Sequence, residues 1–185
     1  LPISFEFFPP KTDIGASKLL TVHEELSQLN PEFFSVTYGA GGSTRDRTLS
    51  TIDALRNKAV PVAPHLSCVG DTREKLGDLL QRYQGQGIRR LVALRGDLPS
   101  GQVGWGELPY AVDLVRFIRE TTGDHFSIEV AAYPEMHPQA ASFRQDVHNL
   151  VAKFDAGADS AITQFFFNAD SYFHLVEQVQ KAGVF

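Results

Sequence analysis

Several short segments place groups capable of proton transfer, charge stabilisation or amide recognition beside apolar runs. Glu6 lies in FEFFPPKT between Phe5 and Phe7, with Pro9 and Pro10 closing the run. Side chains alternate between the two faces of an extended strand, so Glu6 shares a face with Ser4 and Phe8 while Phe5 and Phe7 share the other. A carboxylate in apolar surroundings either finds a partner or keeps its proton near neutral pH. Glu6 therefore reads as a general acid or as one half of an internal ion pair. Arg95 and Asp97 follow the apolar run of LVALRGDLP, two residues apart, with Gly96 allowing close backbone approach between them. The plainer reading of that pair is a surface contact of little energetic weight.

Other polar groups point to less. His65 in APHLSC and His137 in YPEMHP lack the spacing of a metal-ligand pair. The glycine-rich GAGGSTRDRT, residues 39–48, lacks the lysine of a phosphate-binding loop and reads as a tight turn before a helix. Gln164 precedes Phe165, Phe166 and Phe167, a run expected in the core, where a buried amide needs partners. Asp146 and Lys153 lie on similar faces of one helical pattern and are expected in solvent. Glu129 is expected in a structural ion pair with a Lys or Arg.

Strand-like runs at residues 3–8, 33–38, 62–68, 90–95, 127–133 and 160–166 must position these groups. Amphipathic helical patterns separate them, clearest at Leu76, Leu79, Leu80 and Tyr83 and at Phe143, Val147, Leu150, Val151 and Phe154. Ser43, Asp71 and Asp170 fit as N-caps. Glu6, Thr37, His65, Arg95, Ala131 and Gln164 recur at intervals of roughly 30 residues, the length of one βα unit. This leaves an open doubly wound sheet or a TIM (β/α)8 barrel, and no GxGxxG follows the first strand to support the former. Alternation places Glu6, Thr37, His65, Arg95, Asp97, Tyr133 and Gln164 on one small or polar face, and Phe5, Phe7, Val36, Tyr38, Leu66, Val92, Leu94, Ile128 and Val130 on the other. A barrel tolerates such a polar lining at its C-terminal mouth, so the expected fold is α/β, a barrel of which the chain covers about six units. Residues 1–185 are expected to form a single barrel domain, incomplete at six units.

The composition, 43% hydrophobic over 185 residues, supports a real core. The formal charge of −5, from 17 basic and 22 acidic residues without a basic cluster, argues against nucleic acid or an anionic membrane as partner. No apolar stretch reaches spanning length and no signal-peptide pattern opens the chain, so a cytoplasmic location is expected. Cys68 is the single cysteine, which excludes an intrachain disulfide and a thiolate metal cluster.

FEFFPPKT, VTYGA followed by RDRT, APHLSC, ALRGDLP, AAYPEMHP and DAGAD with ITQFFF occur in order across nearly the whole chain. Together they resemble the methylenetetrahydrofolate reductase family in its bacterial form. The resemblance implies a catalytic barrel that binds FAD and takes a hydride from NADH or NADPH. That hydride then passes to 5,10-methylenetetrahydrofolate, giving 5-methyltetrahydrofolate. By motif, Glu6 matches the family's general acid and Asp97 a carboxylate near flavin and folate. Gln164 matches a folate-contacting amide. Thr37, Tyr38, Ala40, His65, Arg95, Gly96, Asp97, Ala111, Tyr133, His137, Asp146, Asn149 and Lys153 match FAD contacts, with Thr37 also near the nicotinamide. In that reading Glu6 protonates N10 of the folate, and Arg95, His137 and Lys153 offset the FAD pyrophosphate. Association into homo-oligomers is implied as well. Ala152 departs from members that carry a second basic residue there. The rival readings are another flavin-dependent barrel resembling proline dehydrogenase, a pterin-binding barrel without redox chemistry, and an inactive fragment.

Overall fold

A computed structural model of the chain describes residues 2–38, 42–97 and 106–184. Strands and helices alternate as β1 (Ser4–Phe7), α1 (Asp13–Ser27), β2 (Phe33–Val36), α2 (Gly42–Leu55), β3 (Val62–Ser67) and α3 (Arg73–Gly85). They continue as β4 (Arg90–Leu94), α4 (Ala111–Thr122), β5 (Ser127–Ala132), α5 (Phe143–Asp155), β6 (Ser160–Thr163) and α6 (Ala169–Lys181). All neighbouring strands are parallel, and their order in the sheet is their order in sequence. A doubly wound sheet reverses its strand order at a switch point, whereas a barrel does not. The sheet is six consecutive units of a barrel.

Helix starts fall one or two residues from several expected caps. Thr72, not Asp71, caps α3 by accepting the Lys75 amide, while Asp71 turns to the Arg45 guanidinium at 3.6 Å. Asn168 caps α6, which leaves Asp170 in the first turn, where a carboxylate suits the positive end of the helix dipole. Ser43 lies inside the first turn of α2.

The register defines two faces. Phe5, Phe34 and Val62 align on one, as do Leu66, Ala93, Val130 and Ala161. This face meets the apolar stripes of the helices, including Leu76, Leu80, Leu114, Ile118, Val147 and Leu150. Glu6, Ser35 and Ala63 align on the concave face, as do His65, Val92, Glu129 and Ser160. Alternation thus holds on five strands and corrects the sixth. On β4, Val92 and Leu94 face inward and Ala93 packs against helices, the reverse of the expectation. β4 ends at Leu94, and Gly96 at φ +83 turns the chain, so Arg95 and Asp97 reach their positions from a loop.

At the base of the concave face, buried Glu129 accepts hydrogen bonds from Arg90 on β4 and Ser160 on β6. The Arg90 guanidinium also lies 4.7 Å over the ring of Phe33 on β2. The expected ion pair is present, and it ties strands on both sides of β5. The phenylalanine run departs from expectation: Phe165 and Phe167 are 75% and 89% exposed, because they lie past the end of β6 in the loop leading to α6. Phe166 alone is partly covered and stacks on Tyr172.

Gly96 packs against β3 so closely that a Cβ there would lie 2.0 Å from Ser67 Oγ. The same hydroxyl donates to the Arg95 carbonyl at 2.9 Å. Gly96→Ala should cost about 1–2 kcal/mol from the left-handed backbone alone. The clash adds to this, so the thermal midpoint should drop by at least about 3 °C. An unchanged midpoint would show that the loop yields without cost.

Candidate functional site

The C-terminal ends of β4, β5 and β6 carry two adjoining cavities. One, of about 610 Å³, is lined by Arg95, Asp97, Tyr133, His137, Gln139 and Gln164 among others. The second, of about 550 Å³, runs toward α4 and α5 and is lined by Arg95, Ala111, Tyr133, His137, Gln139, Asp146, Asn149 and Lys153 among others. Arg95, Tyr133, His137 and Gln139 line both and form the wall between them.

Hydrogen bonds fix this wall. Arg95 donates through Nη2 to Gln139 Oε1 at 2.7 Å. The Gln139 amide donates to His137 Nδ1 at 3.0 Å, which in a neutral ring leaves the proton on Nε2. The His137 amide donates to Asp146 Oδ2 at 2.8 Å, anchoring the loop to α5. Met136, just before it, takes the left-handed conformation at φ +71, unusual for a side chain of its size. Tyr133 meets the His137 ring edge to face at 4.5 Å, and burial, reinforced by Asp146, raises its hydroxyl pKa. Gln139 is the member of this wall that sequence reasoning missed. Its position two residues after His137 in a loop ending at the Ser142 cap was the available signal.

Lys153 was expected in solvent, but it lies on the face of α5 toward β5. Its Nζ donates to the Ala131 carbonyl at 2.5 Å. Burial lowers its pKa from 10.5 to about 8, with Asp146 opposing. Holding the ammonium there costs on the order of 3 kcal/mol. An anion in the second cavity would offset that cost. The first turn of α4, beginning at Ala111, adds backbone amides without partners inside the helix. Buried cation, second cation at Arg95 and helix start together fit a phosphate-bearing group such as that of FAD.

The β1–β3 side is arranged separately, and its residues line neither of these cavities. Glu6 is 49% exposed on β1, an edge strand of this sheet, and its sequence neighbours Phe5 and Phe7 sit on the opposite face, stacked on Phe34. Its Oε2 lies 3.2 Å from His65 Nε2, at ion-pair distance but off the direction of a well-formed hydrogen bond. The imidazole contact lowers the Glu6 pKa, outweighing burial, which acts the other way. Of the two readings open to Glu6, the structure supplies the partner, and the His65 contact favours its carboxylate form. Thr37 receives Thr48 Oγ1 on its carbonyl at 3.0 Å and donates its amide to Phe7. The Tyr38 hydroxyl donates to Asp71 at 3.4 Å, and its pKa is pushed up to about 12, chiefly by burial. Ala40 lies outside the described residues. Cys68 is buried, with its thiol pKa raised to about 11 by desolvation. Among the described residues no group of three His, Cys, Asp or Glu side chains could hold a metal ion, and no helix is long and apolar enough to cross a membrane.

The chain is similar to several known proteins. The chain is 47% identical over 183 residues to 5,10-methylenetetrahydrofolate reductase of Salmonella typhimurium, and 46% identical to that of Escherichia coli. Each alignment covers 98% of this chain and 60% of the relative, so the chain spans about three fifths of their length. An Arabidopsis thaliana relative, methylenetetrahydrofolate reductase (NADH) 1, is 38% identical over 98% of this chain and 33% of its own. Among solved structures, a Clostridium thermocellum protein described as binding two copies of 5-methyl-5,6,7,8-tetrahydrofolic acid superposes with a TM-score of 0.69 at 15% identity, covering 98% of this chain and 60% of that one. Oxaloacetate acetylhydrolase follows at 0.65 and 14%, covering 96% and 63%. At such identities these likenesses bear on the barrel fold alone. The family profile for methylenetetrahydrofolate reductase matches residues 1–185 from end to end, and the chain belongs to that family.

Proposed function

We propose that this chain forms the cofactor and folate face of a reductase that converts 5,10-methylenetetrahydrofolate to 5-methyltetrahydrofolate, with NADH or NADPH as hydride donor. The observation that carries the reading is the pair of adjoining cavities, whose common wall holds Arg95, Tyr133 and His137. FAD, when bound, carries the hydride between nicotinamide and folate. In the α4–α5 cavity Lys153 and Arg95 offset the charge of its pyrophosphate, while Ala111 and Asn149 line the approach. Asn149 is held by Gln145 Nε2 at 3.0 Å. The other cavity takes the folate. Gln164 offers it an amide and Asp97 a carboxylate to stabilise positive charge as the five-membered ring opens to a 5-iminium cation. Ring opening also requires a proton at N10; Glu6 is assigned that donation by its family motif, from the β1–β3 side of the mouth outside either cavity. Thr37, Tyr38, Gly96 and His65 complete the mouth, and the whole protein associates into homo-oligomers. The curated relatives at 46–47% identity support the chemistry by their names.

The direct test is the absorption spectrum of the purified full-length protein. A flavin band bleached by NADH or NADPH and restored by methylenetetrahydrofolate is expected. A band restored by Δ1-pyrroline-5-carboxylate and not by the folate would favour a proline dehydrogenase-like barrel. Glu6→Gln should slow the folate half-reaction by about 10²–10⁴-fold while flavin reduction persists. Equal loss of both halves in stopped flow would remove the acid role.

Lys153 gives a test independent of turnover. Between about pH 8 and 10.5 the unfolded chain binds more protons at this lysine than the folded one, so stability rises with pH through that window. Below about pH 8 the full penalty of burying the ammonium is present. Without FAD, Lys153→Met should melt above the wild type near neutral pH, and the gap should close toward pH 10.5. FAD affinity of the variant should fall at least about tenfold, the equivalent of one charge-assisted contact. A variant less stable than the wild type near neutral pH would show that the Ala131 hydrogen bond outweighs the burial.

A further inference from the structure

Glu6 and His65 stand on strands that are not neighbours. β2 lies between them, and at this level it presents Ser35, aligned with Glu6 on one side and Ala63 on the other. The small serine leaves room for the His65 imidazole to reach past β2, bringing Nε2 to 3.2 Å from Glu6 Oε2. The His65 side chain is only 10% exposed, and Nε2 itself is shut off from solvent without a well-aligned hydrogen-bond partner. Glu6, by contrast, keeps access to the open concave face.

The other groups on that face leave this contact alone. β2 contributes Ser35 and β4 contributes Val92, neither of which titrates. Arg90 of β4 and Glu129 of β5 are paired with each other at the base, and Ser160 of β6 satisfies Glu129. The helices α1 to α3 pack on the other side of the sheet. The register also sets Val92 and Glu129 in line with His65, and Glu129 is taken up by Arg90 and Ser160.

We propose that Glu6 and His65 hold one exchangeable proton between them and act as a single acid, with His65 the positioning residue for that proton. The inference rests on the folate reductase reading. Before ring opening the pair is a carboxylate facing an imidazolium, or equivalently a carboxyl facing a neutral imidazole. As the C–N10 bond breaks, the one shared proton passes from Glu6 Oε2 to N10, reaching Glu6 from His65 Nε2 where it began on the imidazole. The pair is left as a carboxylate and a neutral imidazole, one proton poorer, and Glu6 recovers that proton from solvent on its exposed side. This explains how a carboxyl whose pKa is lowered by its neighbour can still serve as an acid. Two coupled groups release their protons as a pair, and the step belongs to neither residue alone.

The test is a carbon-13 NMR titration of the Glu6 carboxyl and the His65 ring in the FAD-loaded full-length protein, beside the pH profile of the folate half-reaction. Each wild-type signal should sense the other's titration. In His65→Gln the falling limb of the profile should move down by at least about one pH unit, a tenfold loss at a fixed pH above it. If His65→Gln does not fold, Glu6→Gln serves, and the His65 midpoint should then drop. Independent titration of the two groups, or an unmoved limb, overturns the pair. If methylenetetrahydrofolate fails to reoxidise the wild-type flavin, the folate reading is what fails, and the NMR titration still decides whether the two groups share a proton.

Discussion

Glu129 is a carboxylate held inside a sheet face, and an uncompensated charge there costs several kcal/mol. Arg90 and Ser160 satisfy it from the strands on either side, and Arg90 is itself held over Phe33 on β2. Breaking one partner would strand the other, so the network accepts one alignment of β4, β5 and β6. A slip by one residue would send each inward side chain to the helices and each helix-facing one into the mouth. The positions of His65, Tyr133 and Gln164 at the rim therefore depend on a polar contact at the base.

From that base the upper end of the sheet is free to depart from regular geometry. Gly96 turns the chain after β4 and seats Arg95 against Ser67, where no other residue type would fit. Met136 bends the β5–α5 loop, and Asp146 pins it through the His137 amide. Arg95 and His137, brought together by these two loops, meet through Gln139 and divide the space above the strands in two. One half has a buried cation at its back and a helix start at its side; the other opens to the concave face. That asymmetry suits a large anionic cofactor beside a smaller substrate, as proposed for this chain.

Much of the arrangement was legible in the sequence because barrel strands carry strong signals. β-branched and aromatic runs at regular intervals located all six strands, and alternation alone placed Glu6 and His65 on one face. The failures have local causes. The fourth strand was read through Arg95, but alternation stops where a left-handed glycine begins, and Arg90 with Val92 and Leu94 marks the true inward row. Glu6 was read either as a general acid or as half of an ion pair, and alternation along one strand does not name the partner, which comes from β3 across β2. Phe165 and Phe167 were read as core by type alone, although Asn168 marks a helix start that leaves them in a loop. Lys153 was read as solvated because helical periodicity does not reveal that a long side chain folds back to a strand carbonyl.

The order of the strands has a kinetic consequence. Among the described strands each bonds only to those before and after it in sequence, so each of these pairings closes a loop of about one βα unit. The entropy spent per step is small and nearly constant along the chain. β2 can dock on β1, and β3 on β2, while later residues are still being synthesised, and each docked helix covers the apolar face that its strand would otherwise show to neighbouring chains. The described strands are joined in the order in which they are translated, and the face carrying Glu6 and His65 forms before the cavities at the ends of β4, β5 and β6.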